Sequence, residues 1–218
     1  MQKSVWTYNL QYVDHLEVQE KRLSPFLNCS VVKTSGNTLS KHPEAEGRFI
    51  IPSWQEVSSD YTEAVEKVFF VLWQTRAFEN YLEGELYLER CHEESWILDI
   101  FLSIGKKARI IKAQMGRKYQ GLSINDAKNS FAFGERGLGV FEAACIILGN
   151  PRRFSNENDL VLLCPGDICL VKGQEGDEVR VPMFYFRKGK LRFAAWHEES
   201  QHTFYGSASE FLDLVRNH

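Results

Sequence analysis

Alternation between apolar and polar side chains predicts several short strands in the first half of the chain. In residues 5–13 the apolar positions recur every second residue, a period that is typical of a strand with one buried face. Short apolar runs bounded by turn residues predict further strands at 26–33, 48–51, 85–90, 96–104 and 108–115. The run 96–104 also fits a short buried helix, because nearly every position in it is apolar.

A longer helical period follows the first strands. Between residues 60 and 82, apolar side chains recur every three or four positions, which predicts an amphipathic helix over 60–82. Leu72 and Trp73 fall at the end of its apolar stripe, so both are expected in the core. Ser58 or Ser59 is the expected cap of the helix N-terminus.

Capping signals predict the helices of the second half. Ser123 and Ser207 are each followed three residues later by an acidic residue, which is the pattern of a capping box. We therefore expect helices at 124–133 and at 210–216. The apolar run 134–148, which ends at a glycine, predicts another helix between them.

The last third of the chain contains two predicted hairpins. Pro165-Gly166 is a favourable turn between strands at 159–164 and 167–172. Strands at 180–186 and 191–196 flank a second turn that is rich in basic residues. Hairpins of this kind favour an antiparallel sheet.

Together these elements predict an α+β fold in which an antiparallel, hairpin-rich sheet packs against three to four helices. The chain of 218 residues is long enough for one domain over 1–218, and any sub-lobe boundary is expected near 149–158. Hydrophobic residues make up 44% of the chain and aromatic residues 13%, so we expect an aromatic-rich core.

Neither a signal peptide nor a membrane span is predicted. The N-terminal residues lack a long apolar run, and no segment approaches the roughly 18 apolar residues that a spanning helix needs. The five cysteines are odd in number and irregularly spaced, unlike a disulfide framework. We therefore expect a cytoplasmic protein with reduced thiols and no membrane contact.

The segment 105–118, hereafter the basic region, is the predicted binding surface. It contains several cations and no acidic residue, so it suits another protein or an acidic ligand as partner. Nucleic acid fits the same chemistry, but the net charge of −3 gives it no support. An edge strand that uses lysine to prevent pairing would show the same pattern. The predicted binding residues are Lys106, Lys107, Arg109, Lys112, Arg117 and Lys118.

Cys164 and His197 are the candidate catalytic residues. The segments 163–171 and 181–195 resemble the P-G-D hairpin and following strands of NlpC-type cysteine peptidases. That resemblance implies a cysteine nucleophile, for which Cys29 is the candidate, and a histidine base. The histidine of that family would lie at the start of the second segment, where this chain has none.

Metal and cofactor signals are incomplete. Cys164 and Cys169 bracket a predicted turn and would form half of a zinc site, with His197 and His202 as the local candidates for the rest. The two histidines miss metalloprotease spacing by one residue, so no metal is predicted. The glycines of 134–139 run opposite to the dinucleotide-binding fingerprint and are interpreted as turns, so no cofactor is predicted either.

No paired carboxylates, catalytic triad or complete ligand set can be assembled from the sequence. The sequence therefore predicts a non-catalytic binding or regulatory protein that acts through a surface of the sheet, with the basic region as its contact. The alternative is a hydrolase, either cysteine-dependent or nuclease-like, whose site is assembled from dispersed residues.

Overall fold

The computed structural model describes residues 13–27, 42–83, 87–90, 107–172, 177–197 and 199–212. Its helices in these ranges are α1 (Leu16–Leu23), α2 (Trp54–Val57), α3 (Tyr61–Thr75), α4 (Ile124–Asn129) and α5 (Val140–Gly149). Short 3-10 turns follow α1 and α5, at Ser24–Phe26 and Pro151–Phe154. The strands are β1 (Gly47–Ile51), β2 (Phe78–Asn80), β3 (Leu88–Arg90), β4 (Arg109–Met115), β5 (Glu135–Gly137), β6 (Val161–Leu163), β7 (Asp167–Lys172), β8 (Asp177–Arg187), β9 (Lys190–Trp196) and β10 (Tyr205–Phe211).

The strands form a mixed sheet with β10 near its centre. Neighbours follow the order β1-β4-β10-β6-β8-β9-β2, while β7 pairs with the first half of β8 and with β3. On one edge β10 is antiparallel to β4, and on the other it is parallel to β6 and then antiparallel to β5. The α+β class is confirmed, but the parallel β10–β6 and β2–β9 pairs correct the prediction of an antiparallel sheet.

Helix α3 packs one apolar face on this sheet. The Asp60 side chain caps the helix by accepting a hydrogen bond, at 2.8 Å, from the backbone N–H three residues later. Phe69 packs against the rings of Phe184 and Phe193 at centroid distances of 5.9 and 4.7 Å. The main core cluster therefore draws on residues from both sides of 149–158.

The predicted helix over 60–82 is too long. Residues 78–80 leave the helix and pair with β9 as β2, so a long-range pairing overrides the local period. The cap is Asp60 rather than Ser58 or Ser59.

The capping box at Ser123 is confirmed, since its side chain accepts a hydrogen bond at 3.1 Å from the Asp126 N–H. Helix α4 is nevertheless shorter than predicted. The helix predicted over 134–148 begins late, because residues 135–137 form β5 against β10. Helix α5 then starts at Val140.

The hairpin predicted at Pro165-Gly166 is wrong. Strands β6 and β7 both pair with β8, where Leu162 lies opposite Phe184 and Cys169 lies opposite Arg180. They do not pair with each other, so the pairing that would set the two cysteines side by side is absent. A turn sequence alone does not select the partner of a strand.

The second predicted hairpin is confirmed. Arg187 lies opposite Lys190, and the turn between them is Lys188-Gly189. Both turn residues have positive φ, 52° and 75°, as a two-residue turn of the primed type requires.

Strand β10 replaces the helix that was predicted to begin at Glu210. The Glu210 carboxylate accepts hydrogen bonds from Arg109 of β4, at 2.9 Å, and from Arg136 of β5. Ladder hydrogen bonds and these ion pairs hold the segment extended on both of its edges, which outweighs the local capping signal. Phe26, predicted at the start of a strand, lies in a 3-10 turn.

The predicted elements at 5–12, 28–33, 96–104 and 213–216 lie outside the described residues. The strands predicted at 48–51 and 108–115 are confirmed as β1 and β4, and β3 covers the end of 85–90. Within the ranges that the structure describes, no helix has both the length and the apolar character to cross a membrane.

Candidate functional site

The basic region does not form a single exposed face in the part of it that the structure describes. Arg109 donates a hydrogen bond to Glu210, and Lys112 is buried. Lys107 and Arg117 are exposed, but they precede and follow β4, whose seven residues span roughly 20 Å.

Lys118 of the basic region is also committed to carboxylates. Its Nζ donates hydrogen bonds of 2.7 Å to Glu44 and to Glu135. Burial lowers the pKa of Lys118, but these bonds raise it by more, so the net pKa is raised and the side chain stays charged. Since Lys106 lies outside the described residues, a contact surface made by Lys106, Lys107 and Arg117 stays a prediction.

The candidate catalytic residues Cys164 and His197 do not form an activated nucleophile and base. Cys164 is fully buried, and burial, together with Asp167 and Glu142, raises the pKa of its thiol, which disfavours the nucleophilic thiolate. His197 is exposed, and among the described residues its ring has no hydrogen bond to a thiol or carboxylate. The same holds for His202, which stacks on Phe204. Cys29 and His92 lie outside the described residues.

No metal centre is found where the structure describes side chains, since no three His, Cys, Asp or Glu residues there are placed to share an ion. Cys164 and Cys169 are both fully buried as free thiols. Burial raises the pKa of Cys169 as it does that of Cys164. Both therefore contribute to the core as small apolar side chains.

A groove lies between α3 and β2 on the described surface and is hereafter called the aromatic groove. Helix α3 contributes Glu66, Phe69, Phe70 and Trp73, and residues 78–81 with Glu83 form the other side. Its volume is about 740 Å³. A second depression of about 520 Å³, lined by residues 73–78 and Lys190, adjoins it at Trp73.

Three aromatic side chains of the aromatic groove are more than half exposed. The exposed fractions are 57% for Phe70, 65% for Trp73 and 55% for Tyr81. Phe70 and Trp73 lie one turn apart on α3, and their ring centroids are 6.2 Å apart. Large apolar side chains grouped on a surface mark an interaction site more often than isolated ones do.

The structure corrects the prediction that Trp73 lies in the core. The buried stripe of α3 passes through Phe69 and Leu72, and Trp73 lies on its outer border. The helix then ends at Thr75, so no further turn covers the indole. A stripe assigned by spacing alone does not distinguish the centre of a buried face from its border.

The rim of the aromatic groove is acidic. Glu79 is already shared by Lys190 and by Arg192, whose Nε lies 3.0 Å from its carboxylate. Glu66 and Glu83 are exposed and form no ion pair with any described residue. Within the described part of the chain these two carboxylates are thus available to pair with a cationic ligand.

A largely buried cluster of polar side chains joins α3, α5 and the strands β3, β4, β5, β7 and β10. Arg90 donates a 2.7 Å hydrogen bond to Glu142, and the Tyr61 hydroxyl donates one of 2.6 Å to Asp167. The same Asp167 oxygen accepts from the Val140 N–H at 2.6 Å, so it caps the N-terminus of α5. This buried charge network consists of Tyr61, Arg90, Arg109, Arg136, Glu142, Asp167 and Glu210.

Two oxygens of the buried charge network lack hydrogen-bond partners among the described residues. They are Asp167 Oδ1 and Glu142 Oε2. A Cβ atom at Gly139 would lie 2.8 Å from each of them and 2.8 Å from the Tyr61 hydroxyl. The three oxygens thus converge on a backbone position, Gly139, that carries no side chain.

Neighbouring arginines, which act more strongly on Glu142 than on Asp167, separate the pKa values of these two buried carboxylates. Burial raises the pKa of Asp167 to about 6, opposed by Arg90 and helped by Glu142. Burial also raises the pKa of Glu142, but Arg90, Arg136 and Arg109 lower it by more, to about 2. Both side chains are almost fully buried, so the described residues give no path by which a substrate would reach them.

The pKa of Asp167 predicts a pH dependence of stability. An unfolded aspartate has a pKa near 3.9, so between about pH 4 and pH 6 the folded state binds the extra proton and acidification favours folding. This contribution, roughly 2–3 kcal/mol at its largest, is lost as the pH rises through about 6.

Asp167→Asn removes this titration. Its amide oxygen can accept from Tyr61 and Val140, and its NH₂ can face the unpartnered Glu142 oxygen. We expect the stability advantage of the wild type over the variant to shrink from acid to neutral pH, measured by urea unfolding across this range. Parallel pH profiles for the two proteins would contradict the assignment.

The sequence contains a signal for the buried charge network that spacing rules do not use. Glu142 is the only charged residue in the apolar run 140–148, and Asp167 stands between two buried cysteines. An isolated charge in such a run is placed in the core and needs a partner there. The exposed aromatics of the groove have no comparable signal, because an apolar residue on a helix border looks like a core residue.

Comparison of the chain with protein-family models, with curated protein sequences and with solved structures gave no match.

Proposed function

We propose that this chain is a non-catalytic binding protein that recognises another protein through the aromatic groove. The observation that carries this proposal is the exposure of Phe70, Trp73 and Tyr81 side by side over a depression of about 740 Å³. The binding class is the one that the sequence predicts, but the surface is different.

The chemistry of the aromatic groove supports a protein partner. Tryptophan and tyrosine are enriched among the residues that dominate interface energetics, because they bury a large area and lose few rotamers. Trp73 borders both depressions, so a partner side chain on either side of it would cover the indole. The exposed rings are not needed to cover the sheet, because Phe69 already covers it. A partner that buries them would gain the free energy of removing apolar surface from water.

The aromatic groove is better supported than the basic region as the contact surface. The described cations of the basic region are largely buried or paired with carboxylates, whereas Glu66 and Glu83 in the aromatic groove have no described partner. The hydrolase alternative stays a prediction, and the raised pKa of Cys164 gives it no support.

Replacement of Trp73 by alanine tests the proposal. Peptides would be selected from a random library displayed on phage against the full chain, and their affinities measured by calorimetry. We expect Trp73→Ala to weaken binding about tenfold or more, because truncation of a central interface aromatic costs at least ~1.4 kcal/mol. The melting temperature should change little, since the side chain is exposed.

Phe133→Ala is the matched control, because Phe133 is equally exposed and does not line the aromatic groove. It should leave peptide affinity unchanged. A selection that yields no specific peptide, or equal effects of the two substitutions, would refute the proposed function.

A further inference from the structure

Strand β2 has no strand partner on its outer side among the described residues, and its residues line one side of the aromatic groove. On its inner side it pairs with β9 in parallel register. The Ala77 carbonyl accepts from the Leu191 N–H and the Tyr81 N–H donates to the Phe193 carbonyl, each at 3.0 Å.

These two hydrogen bonds show which residues of β2 direct their main-chain groups toward β9, since the direction alternates along a strand. Residues 77, 79 and 81 direct main-chain groups toward β9, so the N–H and C=O groups of Phe78 and Asn80 point away from it. No described residue forms a hydrogen bond with these outward groups. An unpaired edge of this kind is a template for one more strand.

We infer that the partner bound in the aromatic groove is an extended peptide segment that adds to the outer edge of β2 as a further strand. This inference rests on the proposed function and specifies the mode of binding. Peptide main-chain groups would pair with Phe78 and Asn80, while alternate side chains contact Phe70 and Trp73 on the α3 side.

Charge complementarity defines the chemistry of that segment. Glu79 is satisfied by Lys190 and Arg192, but Glu66 and Glu83 at the rim are not paired with a described residue. The segment therefore combines apolar side chains, which cover the exposed rings, with at least one lysine or arginine. An acidic segment would place like charges together and is excluded from the site.

The strand-addition test changes one main-chain donor. Asn80→Pro removes the outward N–H of residue 80 and leaves the ladder to β9 intact, because proline is tolerated on a strand edge. Asn80→Ala is the matched control, since it removes the same side-chain contact to the Leu82 N–H and keeps the donor. The probe is a synthetic peptide from the phage selection.

We expect Asn80→Pro to bind this peptide about tenfold more weakly than Asn80→Ala, the loss that one unmade main-chain hydrogen bond produces. Methylation of every second peptide amide should abolish binding when the methylated amides are those that face β2. Methylation of the other set of amides should leave binding unchanged. If Asn80→Pro does not fold, the N-methylation series decides alone.

The outcomes separate the two proposals. Equal binding by both Asn80 variants, with both methylation registers tolerated, would overturn strand addition while leaving the aromatic groove as the site. Insensitivity to Trp73→Ala would overturn the proposed function itself. Self-association that is lost in Trp73→Ala, measured by sedimentation, would assign the groove to a second copy of the chain and overturn a peptide partner.

The basic character of the segment has its own test. Replacing Glu66 and Glu83 together by glutamine should lower the affinity for a lysine-containing peptide. The affinity for the analogue with norleucine in place of lysine should not change. Equal affinity of both peptides for the wild-type chain would overturn the charge assignment.

Discussion

Replacing Glu142 with alanine is expected to lower the free energy of unfolding by about 2–4 kcal/mol. The Glu142 side chain is 4% exposed, and its carboxylate accepts a 2.7 Å hydrogen bond from Arg90 and lies 4.0 Å from Arg136. Removal of the shared carboxylate leaves buried positive charge without compensation. The effect stays below the upper limit for a buried pair because Arg90 is partly exposed and can recruit water.

Urea unfolding of Glu142→Ala and of a surface control would measure this difference. Glu178→Ala is a suitable control, because Glu178 pairs with Arg180 in solvent and such pairs contribute little to stability. We expect the control to unfold almost like the wild type. A Glu142→Ala variant that is no less stable than the control would show that the buried charge network does not hold α5 and β3 together.

Gly139→Ala is the second substitution with a large expected effect, a loss of about 2–4 kcal/mol in the free energy of unfolding. The backbone of Gly139 has φ −82° and ψ 174°, which any residue adopts, so the cost does not come from backbone strain. It comes from a methyl group placed 2.8 Å from each of three buried oxygens. The oxygens must move apart, and their hydrogen bonds at the N-terminus of α5 are lost.

Gly149→Ala is the matched control at the other end of α5. Its Cβ would make ordinary contacts, with Gln19 as the nearest neighbour at 3.6 Å, and alanine favours a helix. Thermal unfolding should therefore show an unchanged or raised melting temperature. If the loss at Gly139 arises from crowding, Gly139→Ala should cost less in a Glu142→Ala background than in the wild type. Strictly additive losses would contradict that explanation.

The sequence correctly predicted the features that depend on interactions between residues close together in the chain. The Ser123 cap and the Lys188-Gly189 turn depend on neighbours within a few residues, and both are confirmed. The turn at Pro165-Gly166 has equally good local chemistry, yet β8, from later in the chain, pairs with both flanking strands. The helix predicted from the capping box at Ser207 is wrong for the same reason, because Glu210 pairs with arginines of strands distant in sequence.

The candidate site depended on a distinction that spacing cannot make. Leu72 and Trp73 are adjacent and both apolar, but consecutive side chains point in different directions around a helix. Leu72 therefore lies in the core, and Trp73 lies in solvent. The position of β2 beyond β9, with no further strand paired to it in the described ranges, is likewise set by long-range pairing. Composition did predict the aromatic core that Phe69, Phe184 and Phe193 form.

The central place of β10 has a consequence for biosynthesis. Its three partners, β4, β5 and β6, come from residues 109–163, and none of them completes its pairing until residues 205–211 have left the ribosome. Buried strand residues such as Ala113 and Leu162 therefore lack their β10 neighbours from their own synthesis until residues 205–211 follow. Chaperone engagement during synthesis would protect the unpaired strands over this interval, and the late insertion of β10 between them would limit the rate of folding.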